Sequence, residues 1–377
     1  MPFTMYLKKE NMISDQNKIN SIQALRGFAA LLVVMFHFRG EINKTFPHIG
    51  DTLFINGSMG VDLFFLISGF IVFYVARNLN DGVNSSKEFF IKRMCRIIPP
   101  YYLITLCVAG SSVESWLETL RSMLFIPLDG KVVGPVYGYA RLDVGWTLNY
   151  EFLFYALSTF AIFFKKQKWF VLSAVIFCLT IIPSFYFGWN GLNPTIGYNF
   201  NNVYLKLMTN PLILEFIMGI FIGWTYSIDI KIKSKFFWIL TLSFSSAFFL
   251  YIYFSGALWG NSPRAFMIPC ALLLFSVIEY EKRYGINWPN WIINTGAISF
   301  SIYLIHVQAL SVVSKLTGRM VKVGIPLPGI VIALLAIFLT VFLAKLSYRY
   351  IEVGLSNRIR NALLPKNKQR KSLTQQA

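Results

Sequence analysis

Charged side chains are scarce in this sequence, and acidic ones are scarcer than basic ones. Only 14% of the 377 residues are charged, and 17 acidic residues stand against 35 basic residues. Soluble domains carry about 25% charged residues, whereas 55% of this chain is hydrophobic and its mean hydropathy is +0.55. Because the chain is also much longer than one membrane span, its composition indicates a polytopic membrane protein.

Motifs of several large enzyme classes are missing as well. The sequence contains no G-x-S-x-G elbow, no P-loop and no Cys/His cluster with metal-binding spacing. Its four cysteines lie singly within or beside apolar runs, so we predict inert packing residues at Cys95, Cys107, Cys178 and Cys270. A serine hydrolase, a nucleotide-driven motor and a zinc enzyme are therefore poor interpretations, and we expect no metal site.

Apolar stretches long enough to cross roughly 30 Å of hydrocarbon recur along the chain. They cover residues 23–39, 57–76, 97–112, 145–164, 169–187, 208–227, 236–254, 263–280, 291–312 and 326–347. An even number of spans places both termini on one side, and that side receives more than twice as many Lys and Arg residues as the other. The positive-inside rule then assigns the termini to the cytoplasm. We predict an all-α, multi-pass bundle of about ten transmembrane helices at 23–347, with a cytoplasmic segment at 1–22 and a basic cytoplasmic tail at 348–377.

The first apolar stretch carries two basic side chains on one helix face. Arg26 and His37 are eleven positions apart, which places them about 16 Å apart along the same side of a helix. Ionisable groups at membrane depth usually face a bundle interior and mark function. A neutral imidazole suits removal of a hydroxyl proton, and an arginine suits an anionic group. Alternatively, both residues sit at the two membrane interfaces, where helix-end residues often extend toward water.

Two carboxylates fall at similar predicted depth to His37. Asp62 opens the second span and could orient that imidazole, while Ser68, further along, is typical of close helix contact. Glu151 and Tyr155 lie one turn apart just inside the outer end of the fourth span. A buried carboxylate needs a partner or a function, so we predict that Glu151 belongs to the site.

Further polar groups mark the inner end of the third span and the outer half of the ninth. Arg93 and Arg96 lie on one helix side and suit phosphate groups, although positive-inside anchoring also explains basic residues there. Tyr303 and His306 share the ninth span, where a lone histidine is more often a packing residue. This separation of inner basic and outer catalytic groups suits a phosphate-bearing donor that enters from the cytoplasm and an acceptor near the outer face.

The long connection at 113–144 contains FIPLDGKVVGPVYGYARLD, which is rich in glycine and turn-forming residues. On the predicted topology it lies outside, as do the connections at 40–56 and 188–207. Long irregular loops often carry binding residues. We therefore predict a substrate-facing loop or lid at 113–144.

Several segments, in this order, resemble the integral-membrane acyltransferase-3 family. They are Arg26 followed by His37, GVDLFFLISGF, RMCRIIP as R-x-x-R-I-x-P, WTLNYEFLFY and SIYLIH. The resemblance covers nearly the whole chain. It implies a standalone enzyme of the bacterial cytoplasmic (inner) membrane that moves an acyl group, commonly acetyl, from cytoplasmic acyl-CoA to a hydroxyl of a surface or exported glycan. It also implies that His37 is the essential histidine, that Arg26 assists it, and that Arg93 and Arg96 contact the CoA phosphates.

The predicted mechanism has His37 deprotonate the sugar hydroxyl while Asp62 or Glu151 steadies the imidazolium. An acyl-histidine intermediate is the alternative. Arg26 would also bind the donor, acetyl-CoA or another acyl-CoA, and the passage would be lined by Ser68, Tyr155, Tyr303 and His306.

The expected partners are a glycan acceptor, the lipid bilayer, and a polysaccharide-assembly complex or a second copy of the chain. Nucleic acid is not expected, because the basic residues occupy short links rather than one stripe. Two other classes remain open. One is a transporter or flippase of a glycan precursor that performs no acyl transfer, and the other is a scaffolding subunit.

Overall fold

The computed structural model describes residues 19–258, 260, 263 and 265–364, and these residues form helices and connecting loops without a strand. The predicted all-α class is confirmed. Most of the predicted cytoplasmic segment at 1–22, and the last part of the predicted tail, lie outside the described residues.

The helices follow one another with mostly short connections. In chain order they are α1 (Asn20–Thr45), α2 (Ile49–Phe54), α3 (Met59–Ala76), α4 (Gly82–Cys107), α5 (Val113–Met123), α6 (Trp146–Ile162), α7 (Lys168–Phe187), α8 (Val203–Met208), α9 (Leu214–Ser227), α10 (Lys235–Ser255), α11 (Met267–Tyr284), α12 (Asn290–Ala297), α13 (Ser299–Lys322), α14 (Gly329–Ser347) and α15 (Ser356–Leu363). A π-helical segment at Tyr348–Leu355 joins α14 to α15, and a short 3₁₀ turn at Asp143–Gly145 precedes α6.

Six segments of the described chain are long and apolar enough to cross a membrane. They cover 20–45, 49–76, 165–187, 235–255, 299–322 and 329–363. The remaining predicted spans coincide with α4, α6, α9 and α11, which are shorter or carry more charge. The protein is therefore a membrane protein, while the count of about ten spans and the cytoplasmic termini stay predictions.

Helix α1 lies at the centre of the helices that surround the candidate site. It packs against α3, α12, α13 and α14, and its small side chains Ala29 and Ala30 are fully buried. On α12, a Cβ at Gly296 would lie 1.9 Å from the Gln23 carbonyl oxygen of α1, so only glycine permits this approach. This close packing fixes the helix that carries both Arg26 and His37.

Helix α4 begins well before the apolar stretch that the sequence marks. It starts at Gly82, so Arg93 and Arg96 lie in its middle rather than at its beginning, and Arg93 is buried. The end of the described chain returns to this helix, because both the π-helical segment and α15 contact α4. Residues 348–364 therefore cover one side of α4.

Candidate active site

Three arginines from two helices meet at one end of a narrow cavity. Arg26 comes from α1, and Arg93 and Arg96 come from α4. The cavity measures about 70 Å³ and runs between α1, α3, α4, α6 and α13. Among the described residues, no carboxylate forms an ion pair with any of the three guanidinium groups. Arg93 is hydrogen-bonded to Tyr155, and the remaining guanidinium donors can bind an anionic ligand.

Glu151 lies in the wall of this cavity and has hydrogen-bond partners. The Tyr155 hydroxyl donates to Glu151 Oε1, with 2.5 Å between the two oxygens, and Ser68 Oγ donates to the same oxygen at 3.4 Å. The Arg93 guanidinium lies 5.4 Å from the centre of the Tyr155 ring. The sequence-predicted residues Ser68, Glu151 and Tyr155 are thus brought together beside the arginines.

Tyr303 and Thr147 form the opposite end of the cavity. Their hydroxyl oxygens are 2.8 Å apart, and the Tyr303 hydroxyl also donates to the Val144 carbonyl at 3.2 Å. Tyr303 is buried, and its ring centre lies 6.0 Å from that of His306. These contacts place a layer of side chains between the cavity and the histidines.

His37 lies directly beyond that layer and contacts His306. The distance from His37 Nδ1 to His306 Nε2 is 3.1 Å, and that from His37 Nδ1 to the Val33 carbonyl oxygen is 2.9 Å. His37 does not line the cavity. The cavity has a space of about 70 Å³, which accommodates only a few water molecules, and the Tyr303 and Thr147 side chains lie between it and the two histidines.

Asp62 is placed elsewhere. It is fully buried, and its carboxyl group lies near that of Glu215, which is also fully buried and belongs to α9. Two neighbouring carboxyl groups away from water cannot readily both carry a charge. The structure therefore brings Asp62 to Glu215, and not to His37.

The carboxylate that interacts electrostatically with His37 is that of Asp143, in the 3₁₀ turn before α6. Asp143 is exposed; partial desolvation raises the pKa of its carboxyl, and the nearby His37 and Arg141 partly oppose that shift. Sequence reasoning missed this residue because it ends a loop without periodicity. The available signal was its position at the end of the predicted substrate-facing loop, directly before GWTLNYEF.

A second, more polar cavity shares Arg26 and Arg96 with the first. It measures about 480 Å³ and is also lined by Lys92, Glu352 and Arg360. Glu352 accepts a hydrogen bond from Ser301 and interacts electrostatically with Arg26 and Arg96. Sequence reasoning missed Glu352 and Arg360 because it assigned both to the tail, where Glu352 is the one acidic residue after position 347.

A sequence profile described as an acyltransferase domain, that of the acyltransferase-3 family, matches residues 19–349. The chain belongs to the acyltransferase-3 family. Its predicted membership is thereby confirmed, and with it the general class of membrane acyltransferase. The matched range contains both arginine positions of α4 as well as Arg26, His37 and His306, whereas Glu352 and Arg360 follow it.

Several other proteins are similar to this chain in sequence. It is 29% identical to the exopolysaccharide production protein ExoZ of Rhizobium meliloti (strain 1021), over 72% of this chain and 82% of that protein. It is 24% identical to the acyltransferase MdmB of Streptomyces mycarofaciens, over 80% of this chain and 81% of that protein. The peptidoglycan O-acetyltransferase OatA of Listeria monocytogenes is 26% identical over 54% of this chain and 27% of that protein. No solved structure matches.

Proposed function

We propose that the protein is a multi-pass O-acyltransferase of the bacterial inner membrane that moves an acyl group, acetyl in the first instance, from cytoplasmic acyl-CoA to a hydroxyl of a surface or exported glycan. The observation that carries this proposal is the arrangement along α1. Arg26 lies with Arg93 and Arg96 at one end of a buried cavity, and His37 lies beyond the other end. The name of the relative ExoZ supports a polysaccharide acceptor.

The donor is expected to bind from the side of the larger cavity. Three arginines and Lys92 surround the junction of the two cavities. One guanidinium group can donate two parallel hydrogen bonds to the oxygens of a phosphate. Beyond the phosphates, the arm that carries the thioester would extend along the narrow cavity toward Tyr303. Because that cavity is about 70 Å³, side chains such as Phe64 and Phe65 must move for the arm to enter.

His37 acts as the general base at the far end. A bound donor supplies a thioester carbonyl as the electrophile. His37 takes the proton of the acceptor hydroxyl, the hydroxyl oxygen forms a bond to the acyl carbon, and the carbon–sulfur bond breaks. His37 then returns its proton to the departing thiolate. The Tyr303 and Thr147 hydroxyls at the end of the cavity become candidate donors to the carbonyl oxygen as its negative charge develops, provided that one of them turns away from the Val144 carbonyl to which it donates in this structure.

An acyl-histidine route is the alternative order of events. There His37 attacks the thioester first, and the acceptor hydroxyl then takes the acyl group from the imidazole. Incubation with labelled donor and no acceptor distinguishes the two. Label that stays on the protein and disappears in the His37→Ala variant supports the acyl-histidine route, while direct transfer leaves the protein unlabelled.

The decisive experiment uses the purified chain in lipid bilayers with radiolabelled acetyl-CoA and candidate bacterial glycans. We expect label in the glycan with the unchanged protein, and a loss of roughly 10²- to 10⁴-fold for His37→Ala. His48→Asn is the matched control, because His48 is exposed and its positive φ of 65° suits asparagine. Full activity in His37→Ala contradicts the assigned base. Glycan movement across the bilayer without acyl transfer would favour the transporter instead.

A further inference from the structure

His37 and His306 form a pair in which backbone groups determine the positions of the protons. His306 Nδ1 lies 2.8 Å from the Tyr303 carbonyl oxygen and 3.2 Å from that of Ile302. A carbonyl oxygen only accepts hydrogen bonds, so His306 Nδ1 must carry the hydrogen. In a neutral ring the other nitrogen, Nε2, is then an acceptor.

The acceptor nitrogen of His306 faces His37. His306 Nε2 is 3.1 Å from His37 Nδ1, and His37 Nδ1 is also 2.9 Å from the Val33 carbonyl oxygen. Both neighbours accept, so His37 Nδ1 carries the hydrogen and donates to both. The remaining nitrogen of His37, Nε2, keeps its lone pair, and this is the nitrogen that can take a proton from a substrate.

We propose that His306 is a positioning residue that, together with the Val33 carbonyl, holds His37 in the tautomer with hydrogen on Nδ1, so that Nε2 is the base. This inference rests on the proposed function, in which His37 accepts the hydroxyl proton. Once that proton is on Nε2, the imidazolium still donates from Nδ1 to His306, and a hydrogen bond from a charged donor is stronger than one from a neutral donor. His306 thus also stabilises the charged form.

Surrounding side chains hold the two histidines in place. His306 and Tyr303 are buried on α13, and the Tyr303 hydroxyl is held by Thr147 and Val144. The charged side chains that act on His37 are Arg39, on its own helix, and Asp143, in the turn before α6. Neither is hydrogen-bonded to the imidazole among the described contacts. His306 is therefore the side chain in direct contact with Nδ1.

The first test does not depend on enzymatic activity, because it measures which imidazole nitrogens carry hydrogen. The chain contains three histidines, so protein labelled with ¹⁵N-histidine in bilayers gives three imidazole patterns, which the His48→Asn and His306→Gln variants assign. We expect His37 and His306 both to show hydrogen on Nδ1 and an unprotonated Nε2 at neutral pH. Hydrogen on Nε2 of either residue in the unchanged protein would overturn the proposal, whether or not the protein transfers an acyl group.

The second test compares two substitutions of His306. His306→Phe keeps a ring but removes the acceptor, whereas His306→Gln can place an amide oxygen near the former Nε2. We expect kcat to fall about tenfold or more in His306→Phe, the size of a lost hydrogen bond to a charged group, with each KM little changed. His37 should also show partial hydrogen on Nε2. His306→Gln should recover most of kcat.

An unchanged His37 tautomer and unchanged kcat in His306→Phe contradict the positioning role, even if His37→Ala is inactive. A protein that shows both expected tautomers but transfers no acyl group from acetyl-CoA refutes the proposed donor chemistry and leaves the geometry of the pair intact. The two proposals can therefore fail separately.

Discussion

Arg26 and Arg96 each line both cavities, and neither forms an ion pair with a carboxylate among the described residues. Both side chains are partly buried, and burying part of a guanidinium group without a paired anion costs free energy. A bound anion would compensate for that cost, which argues that these residues serve a ligand rather than the fold.

The substitution Arg96→Ala should therefore weaken the binding of the acyl donor. We expect KM for acetyl-CoA to rise about tenfold or more, as for the loss of a charge-assisted hydrogen bond, with a smaller change in kcat and in KM for the glycan. Steady-state kinetics with each substrate varied in turn measure the effect. Lys87→Ala on the same helix is the control, because Lys87 is exposed. Equal changes in both variants would contradict the assignment.

Asp143 should influence the pH dependence of the reaction through His37. Its negative charge favours the protonated imidazole, so Asp143→Asn should let His37 stay neutral to lower pH. The acid limb of kcat/KM for the glycan should then move to lower pH. Because partial desolvation raises the pKa of Asp143 itself, the difference between the two proteins should shrink at the acid end. Asp129→Asn, at an exposed loop position, should leave the profile unchanged, and an unmoved limb in Asp143→Asn would contradict the coupling.

For single residues, the sequence predicts the position of a side chain along its helix better than the neighbour that the side chain faces. The spacing of Arg26 and His37 on one helix correctly indicates two levels, and Glu151 with Tyr155 is predicted as a neighbouring pair and found hydrogen-bonded. Asp62 illustrates the limit. It begins α3, which is apolar on all sides, so no polar stripe indicates which neighbour the carboxylate faces, and the structure pairs it with Glu215.

At the scale of helices, α3 and α9 approach through two glycines. A Cβ at Gly69 would lie 2.1 Å from the Phe216 carbonyl oxygen, and one at Gly219 would lie 2.1 Å from that of Leu66. Contacts this short are with backbone atoms, which cannot move aside as a side chain can. The crossing that buries Asp62 and Glu215 therefore depends on the absence of these two side chains.

We expect Gly219→Ala to destabilise the protein by roughly 1–3 kcal/mol, the usual cost of adding volume to a packed contact. Thermal unfolding in detergent, followed by fluorescence-detected size exclusion, measures it. Gly318→Ala on α13 is the control, since no atom lies within 4 Å of its added Cβ and alanine favours helix over glycine by about 1 kcal/mol. A Gly219→Ala variant as stable as Gly318→Ala would show that the crossing tolerates a wider separation.

The π-helical segment contains Glu352, whose charge should affect binding of the acyl donor. It places Glu352 beside Arg26 and Arg96 at the second, more polar cavity. Such π-helical turns are often found at functional sites. A carboxylate there repels phosphate groups. Glu352→Gln keeps the hydrogen bond from Ser301 and removes the charge, so KM for acetyl-CoA should fall, most clearly at low ionic strength. Glu114→Gln, at an exposed position, is the control, and a higher KM in Glu352→Gln would indicate that the carboxylate assists binding.

Across the whole molecule, two of the helices that are hard to recognise as spans carry candidate site residues. Helix α4 contains Arg93 and Arg96, and α6 contains Glu151 in only 17 residues. Composition identifies spans through long uncharged runs, so charged side chains such as these remove that signal. The same conflict explains why the sequence predicts the existence of these helices but misplaces the start of α4.

The orientation of the molecule is the remaining prediction, and the mechanism requires it, because the arginine cavity must open toward cytoplasmic acyl-CoA. Single cysteines at Thr195→Cys and Lys231→Cys, in a background where the four native cysteines are serine, probe the two sides. Both positions are exposed, and the positive-inside rule places the first outside and the second inside. An impermeant maleimide added to spheroplasts should label Thr195→Cys at once and Lys231→Cys only after permeabilisation. The reverse pattern would place the donor cavity on the outer side, where acyl-CoA is not supplied, and the proposed reaction could not proceed as written.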